Sequence, residues 1–255
     1  MKPIAGRKEK IRKYAGNAAV SLVVYAVLVC VVFLILYPLF SHISDMFKSF
    51  DDLMDKSVVF LPKEPELGHV RMAMEGLDYW PSMLNSFLLC FTVAFMQTLI
   101  CTMVGYGFAR YTFPLKNLIF AAVILTMLVP TQLLMPSYYL RFRFFDVFGV
   151  FGLLFGKPLN LLDTYGPFAI LSFFGLGFKN GLYIYLVRQF FRNMPRELEE
   201  SGRMDGAGFL RIFFQIMIPN AATIMITVFL FSFSWQWTDI YWSSLFLRNY
   251  SVLPS

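Results

Sequence analysis

The chain has 255 residues, of which 58% are hydrophobic and only 15% charged, with a mean hydropathy of +0.61. A soluble domain of this length carries about a quarter charged residues, so the composition excludes a water-soluble enzyme and defines an integral membrane protein. The net charge of +6 does not argue for nucleic-acid binding, because the basic residues follow the spans and their flanks.

Residues 1–17 form a basic tail, with Lys2, Arg7, Lys8, Lys10, Arg12 and Lys13 against one acid, Glu9. The apolar run 18–40 that follows is too long for a signal-peptide core and long enough to cross a bilayer. It is read as a retained first span, with the N-terminus inside. Segment 41–83 is acid-rich, interrupted by Pro62 and Pro65, and is expected to be an external loop with room for short interfacial helices. Its His42 and His69 stand far apart, as solvated or capping residues rather than metal ligands. The second span, 84–108, holds Asn85, Thr92, Gln97, Thr98 and Thr102, polar groups that in a membrane face other helices. The third, 118–140, contains Pro130 and Pro136, and two prolines in one span predict a kink.

An amphipathic external segment at 141–164 precedes the fourth span, 165–187, which is interrupted by Gly175, Gly177 and Lys179-Asn180-Gly181. A lysine so deep in a span is costly. It marks a functional position unless it snorkels from a frayed helix. A polar segment at 188–219 leads into a fifth span, 221–238. Trp235 and Trp237, with Trp242 just beyond, mark an interfacial aromatic belt. Cys30, Cys90 and Cys101 lie in separate apolar runs and are read as small core residues. The segments placed inside (1–17, 109–117, 188–219) carry thirteen Lys and Arg in 58 residues, those placed outside eight in 84, as the positive-inside rule requires.

The segment 188–219 is polar at its centre and flanked by membrane-grade sequence. Pro195 suits a first helical turn, and Glu197, Glu199 and Glu200 follow near that helix's positive end. Asp205-Gly206 is a turn signal. Phe209, Ile212, Phe213, Ile216 and Met217 then recur at helical spacing, and Pro219 closes the second helix or bends it towards the next span. The expected object is a pair of short helices with a glycine elbow. Glu200-Ser201-Gly202-Arg203-Met204-Asp205-Gly206-Ala207, followed by Ile216 and Pro219, resembles the EAA loop of importer-type ATP-binding-cassette permeases. Ser201 and Gly202 stand where that family has two alanines, and Gly202 alone is expected to weaken its helix by about 1 kcal/mol. The segments Gly105–Pro114 and Trp237–Asp239 extend the resemblance to the maltose-type carbohydrate-uptake branch, over residues 84–255.

That resemblance implies an all-α integral membrane protein with a cytoplasmic helix-turn-helix coupling loop, in a bacterial cytoplasmic membrane. Its energy would come from an ATPase dimer docked at Glu199, Glu200, Arg203, Asp205, Gly206, Ala207, Arg211 and Pro219. A homologous second permease would complete the path, and an extracellular solute-binding protein would deliver the sugar. Five spans are seen where the family has six, so a truncated product or fragment is expected. Gln132, Lys179 and Asn180 are the substrate-path residues proposed from the sequence. The sequence has no P-loop, G-x-S-x-G elbow or H-E-x-x-H pair, so no catalytic role, cofactor or metal is expected. The competing readings are a permease for a non-sugar solute, a secondary transporter, which needs ion-coupling acids inside spans, and an intramembrane enzyme. All sixteen acids fall in the expected loops or at a span edge.

Overall fold

The computed structural model describes residues 4–248 and divides the chain into two units, Met1–Asp78 and Tyr79–Ser255. Among the described residues every regular element is helical. The ends of the expected basic tail and of the 239–255 segment, residues 1–3 and 249–255, lie outside the described residues.

In the first unit, α1 runs unbroken over Ile4–Asp45, through Pro38. The tail is therefore helical, because its Lys and Arg are good helix formers and nothing separates them from the apolar run. The stretch expected as a loop carries two short helices, α2 at Phe50–Met54 and α3 at Gly68–Gly76. Its acids supply the reason. Asp52 is buried and accepts the Lys63 N–H at 2.9 Å, while the Asp52 N–H donates to the capping Ser49 hydroxyl at 3.2 Å. Lys48, also buried, reaches Asp45 at 2.7 Å and the Val59 carbonyl at 3.0 Å. The exposed Lys63 ammonium, 2.6 Å from Asp55 and aided by the Ser57 N–H, holds that carboxyl well below the usual range.

The second unit is built around α4, Tyr79–Arg110, longer at both ends than the expected span. Gln97, Thr98 and Thr102 are buried on it, while Thr92 is exposed. Cys90 and Cys101 are buried, but Cys30 is exposed and is no core residue of this chain. The third span is not a rod. α5, Lys116–Leu128, stops where Val129 is extended before Pro130, the conformation a following proline imposes. A 3₁₀ turn at Thr131–Leu134 then leads into α6, Met135–Arg143, bent by 96° from α5. An antiparallel bridge between Phe145 and Leu159 closes the loop that carries α7, Val150–Phe155.

The fourth span is likewise two helices, α8 at Gly166–Phe173 and α9 at Asn180–Asn193. Gly175 and Lys179 between them take left-handed φ angles of 69° and 64°. Four short elements follow: α10 at Glu197–Met204, α11 at Phe209–Ile212, a π turn at Phe213–Met217 and α12 at Ile218–Asn220. They lead into α13 at Ala222–Trp237 and α14 at Tyr241–Phe246. Among the described residues two helices, Val20–Asp45 and Tyr79–Arg110, are long and apolar enough to cross a membrane; counting each bent pair as one span gives up to four. Helices α4, α9 and α13 share one core, in which Tyr183, Val187, Met217 and Val228 are wholly buried. A second core joins α4, α6, α8 and α14 through Leu89, Phe142, Phe168 and Phe246.

Candidate functional site

The first place where side chains converge is the 194–220 segment. Met194 is extended before Pro195 and ends α9. The first helical turn instead starts at Glu197, after Arg196, so Pro195 stops one helix rather than starting the next. Asp205-Gly206-Ala207 forms a Schellman cap. The Ala207 N–H donates to the Gly202 carbonyl at 2.9 Å and the Gly206 N–H to the Arg203 carbonyl at 3.0 Å. Gly206 stands at φ 76° with open space around it. Glycine is thus required by the turn, not by a close backbone approach.

The expected docking charges divide by face. Glu200, Arg203, Asp205 and Arg211 are exposed, as are Glu197 and Met204, and Arg211 also donates to Gln215 at 2.9 Å. Glu199 turns inward. Its side chain is 8% exposed and meets the Arg110 guanidinium, 5% exposed, at 2.9 Å; the contact is an ion pair without good hydrogen-bond alignment. Arg203 approaches the other Glu199 oxygen at 3.7 Å. Arg110 also donates to the carbonyls of Met194 and Pro195, at 2.8 and 3.4 Å. One guanidinium at the end of α4 therefore holds both the exit from α9 and the first turn of α10.

Aromatic contacts complete the attachment. Tyr106 on α4 packs against Phe191 and Phe213 at ring distances of 5.1 and 5.0 Å, and Tyr111 meets Phe209 edge-on at 5.6 Å. Ala207 is half-buried against the same core, whereas Pro219 is exposed near a 74° bend into α13.

Gly202 is buried, and a Cβ there would sit 2.7 Å from the end of the Ile216 side chain. The helix weakening expected from this glycine is thus offset by the close packing it allows. Gly202→Ala should change the melting temperature in detergent little, since the gain of about 1 kcal/mol in helix propensity is spent displacing Ile216. Gly202→Leu should lower it clearly, by prising α10 from the following helix.

The second convergence is a cavity of 240 Å³ in the same unit. Gln97 on α4 and Ser232 on α13 form one wall, with the Ser232 hydroxyl donating to the Gln97 side-chain carbonyl. Gln132 and Lys179, both proposed from the sequence, line it; Asn180 lies buried outside the lining, with no hydrogen-bond partner for its amide among the described residues. Both lie at breaks in a span: Gln132, exposed, sits in the turn after Pro130, and Lys179, also exposed, in the interruption of the fourth span. Sequence reasoning missed Trp235, Gln236 and Asp239, which also line the cavity. Trp235 was expected in an aromatic belt but lies under the Lys179 ammonium, 4.6 Å from its ring centre. Asp239 accepts from the N–H groups of Trp242 and Ser243 at 3.1 and 3.0 Å.

Residues 101–251 match the family model described as binding-protein-dependent transport system inner membrane component. A probable ABC transporter permease protein of Pyrococcus horikoshii is 29% identical over 167 residues, 65% of this chain and 54% of that protein. The chain thus spans about half the length of that relative. The sn-glycerol-3-phosphate transport system permease protein UgpE of Yersinia pestis is 27% identical over 236 residues, 89% of this chain and 76% of that protein. A crystal structure of a bacterial ABC transporter that imports the acidic polysaccharide alginate superposes with a TM-score of 0.73 at 20% identity, covering 94% of this chain and 78% of the other.

Proposed function

Because the chain belongs to the binding-protein-dependent transport system inner membrane component family, we propose that it is one of two permeases in an ATP-driven carbohydrate importer. A homologous second permease completes the path, an extracellular solute-binding protein delivers the solute, and an ATPase dimer on the cytoplasmic side drives it. The N-terminus and the 188–219 segment lie inside, in agreement with the distribution of basic residues. The chain itself performs no chemistry.

The observation that carries this reading is the two-faced build of α10. Its inner face is fastened to α4 through Glu199 and Arg110, while Glu197, Glu200, Arg203, Met204 and Asp205 stand exposed. A segment so attached passes force to a span without bending, and an exposed charged row orients a partner. Closure of the ATPase pair then moves the segment as a rigid body and rocks the attached helices between two states.

Limited proteolysis from the cytoplasmic side tests it. Cleavage within 196–211 should be suppressed when the ATPase subunit is added; cleavage at an unchanged rate would remove the docking assignment. A permease for another solute uses the same coupling and differs only at the cavity. A secondary transporter is not favoured, because Asp239, the one acid lining the cavity among the described residues, has its Oδ2 engaged by the cap of α14.

A further inference from the structure

Where α5 begins and α9 ends, Lys116, Arg188, Arg192 and Arg196 gather around one another. We propose that this cluster binds an anionic phospholipid, its headgroup phosphate against Arg188 and Lys116 and its acyl chains along α5. None of these residues lines the cavity or belongs to the exposed row of α10. The site thus goes beyond cargo and ATPase and concerns the membrane itself.

The first observation is a charge left unanswered. The charges that bear on Lys116 are those of Arg188, Arg192 and Arg196, all of its own sign. The three arginine side chains have no hydrogen bond or ion pair among the described residues. Arg110 shows the contrast, since Glu199 neutralises it, and Arg203 already leans on the same acid. Like charges gathered without an acid repel one another, and an anion seated among them removes that cost.

The second is that Arg188 is held in place but not satisfied. Its guanidinium lies 3.9 Å from the centre of the Phe120 ring, which stacks in turn on Tyr185. Its Nε is buried and has no hydrogen-bond partner. A guanidinium over a ring keeps its N–H fork free in its own plane, the arrangement that takes two phosphate oxygens. Lys116, half-buried, spends one donor on the Tyr111 carbonyl at 2.6 Å and keeps two. It opens α5, whose N-cap Leu115 provides no side-chain cap, so the positive end of that helix adds to the same field.

The third is what continues from the charges. No residue of α5 is buried, and Leu118, Ile119, Leu125 and Leu128 are exposed. A free phosphate or an acidic protein segment matches the cations alone, whereas a charged head on long apolar chains matches cations and helix together. Under the orientation proposed above, the site meets the inner leaflet.

Native mass spectrometry of the assembled importer, released from detergent micelles, reads the lipid retained. The probes are phosphatidylglycerol, phosphatidylethanolamine with the same acyl chains, and inorganic phosphate as competitor. Phosphatidylglycerol should bind about tenfold or more tighter than phosphatidylethanolamine, whose own ammonium the cluster repels, and phosphate should not displace it. Arg188→Gln should erase most of the preference; it strands no acid, so the complex should still assemble. Arg141→Gln, an equal change of net charge on the exposed side of α6, should leave the preference intact. Should Arg188→Gln fail to assemble, Arg192→Gln/Arg196→Gln carries the test at two exposed positions, each expected to weaken phosphatidylglycerol binding about fivefold. Equal retention of the two lipids, as when the second permease covers this face, would overturn the proposal. So would a preference indifferent to these cluster variants, or displacement by phosphate, which marks a site for free anions.

Discussion

Replacing Arg110 with methionine is expected to abolish ATP-driven uptake and to destabilise the second unit by about 3–5 kcal/mol, the cost of leaving a buried charge without its partner. The substitution strands Glu199, at 8% exposure, against only the distant Arg203. It also removes the donor to the Met194 and Pro195 carbonyls, which together shape the entry into α10. Glu199→Leu should be equally damaging, because it strands the guanidinium instead. The double variant Arg110→Met/Glu199→Leu should regain part of the lost melting temperature, since no buried charge remains. It should not regain uptake, because α10 is no longer tied to α4. Stability that returns together with transport would show that the pair is only a packing element.

The second large effect is expected at Gly206. A valine there must adopt φ 76°, a conformation that costs a residue with a Cβ about 1–2 kcal/mol and a β-branched one more. Open space surrounds the position, so no clash is added and the spans should still insert. The strain falls on the Schellman cap, and with it on the angle between α10 and the 209–217 helix. Gly206→Val should therefore leave the protein in the membrane at a normal level while uptake disappears; Gly206→Asn, at home in the left-handed region, should retain most of it. Normal uptake by the valine variant would show that the elbow's geometry is not used.

The elbow was legible in the sequence because its cause is local: Asp-Gly-Ala is the cap, and a few neighbouring backbone hydrogen bonds determine it. Pro130 likewise announced a break in the third span, but not a bend of 96°, which depends on what α6 packs against. Glu199 was misplaced among outward charges. A run of acids reads as one solvated patch, whereas successive helical residues point in different directions. Its partner Arg110 is far upstream on α4, beyond the reach of any local pattern. Lys179 stood out by the cost of its charge, yet Trp235, read as part of a belt, gave no sign of lying beneath it. Gln236 and Asp239 were not assigned to a cavity for the same reason: a cavity assembled from several helices has no local signature.

We propose that the outer face of α10 receives an ATPase at the inner surface of the membrane. The most direct measurement is labelling of a Glu200→Cys variant by a membrane-impermeant maleimide, in inside-out and right-side-out vesicles, with and without the ATPase subunit. Labelling is expected from the cytoplasmic side alone, and it should be lost when the ATPase is bound. Labelling from the external side, or a rate indifferent to the ATPase, would contradict it.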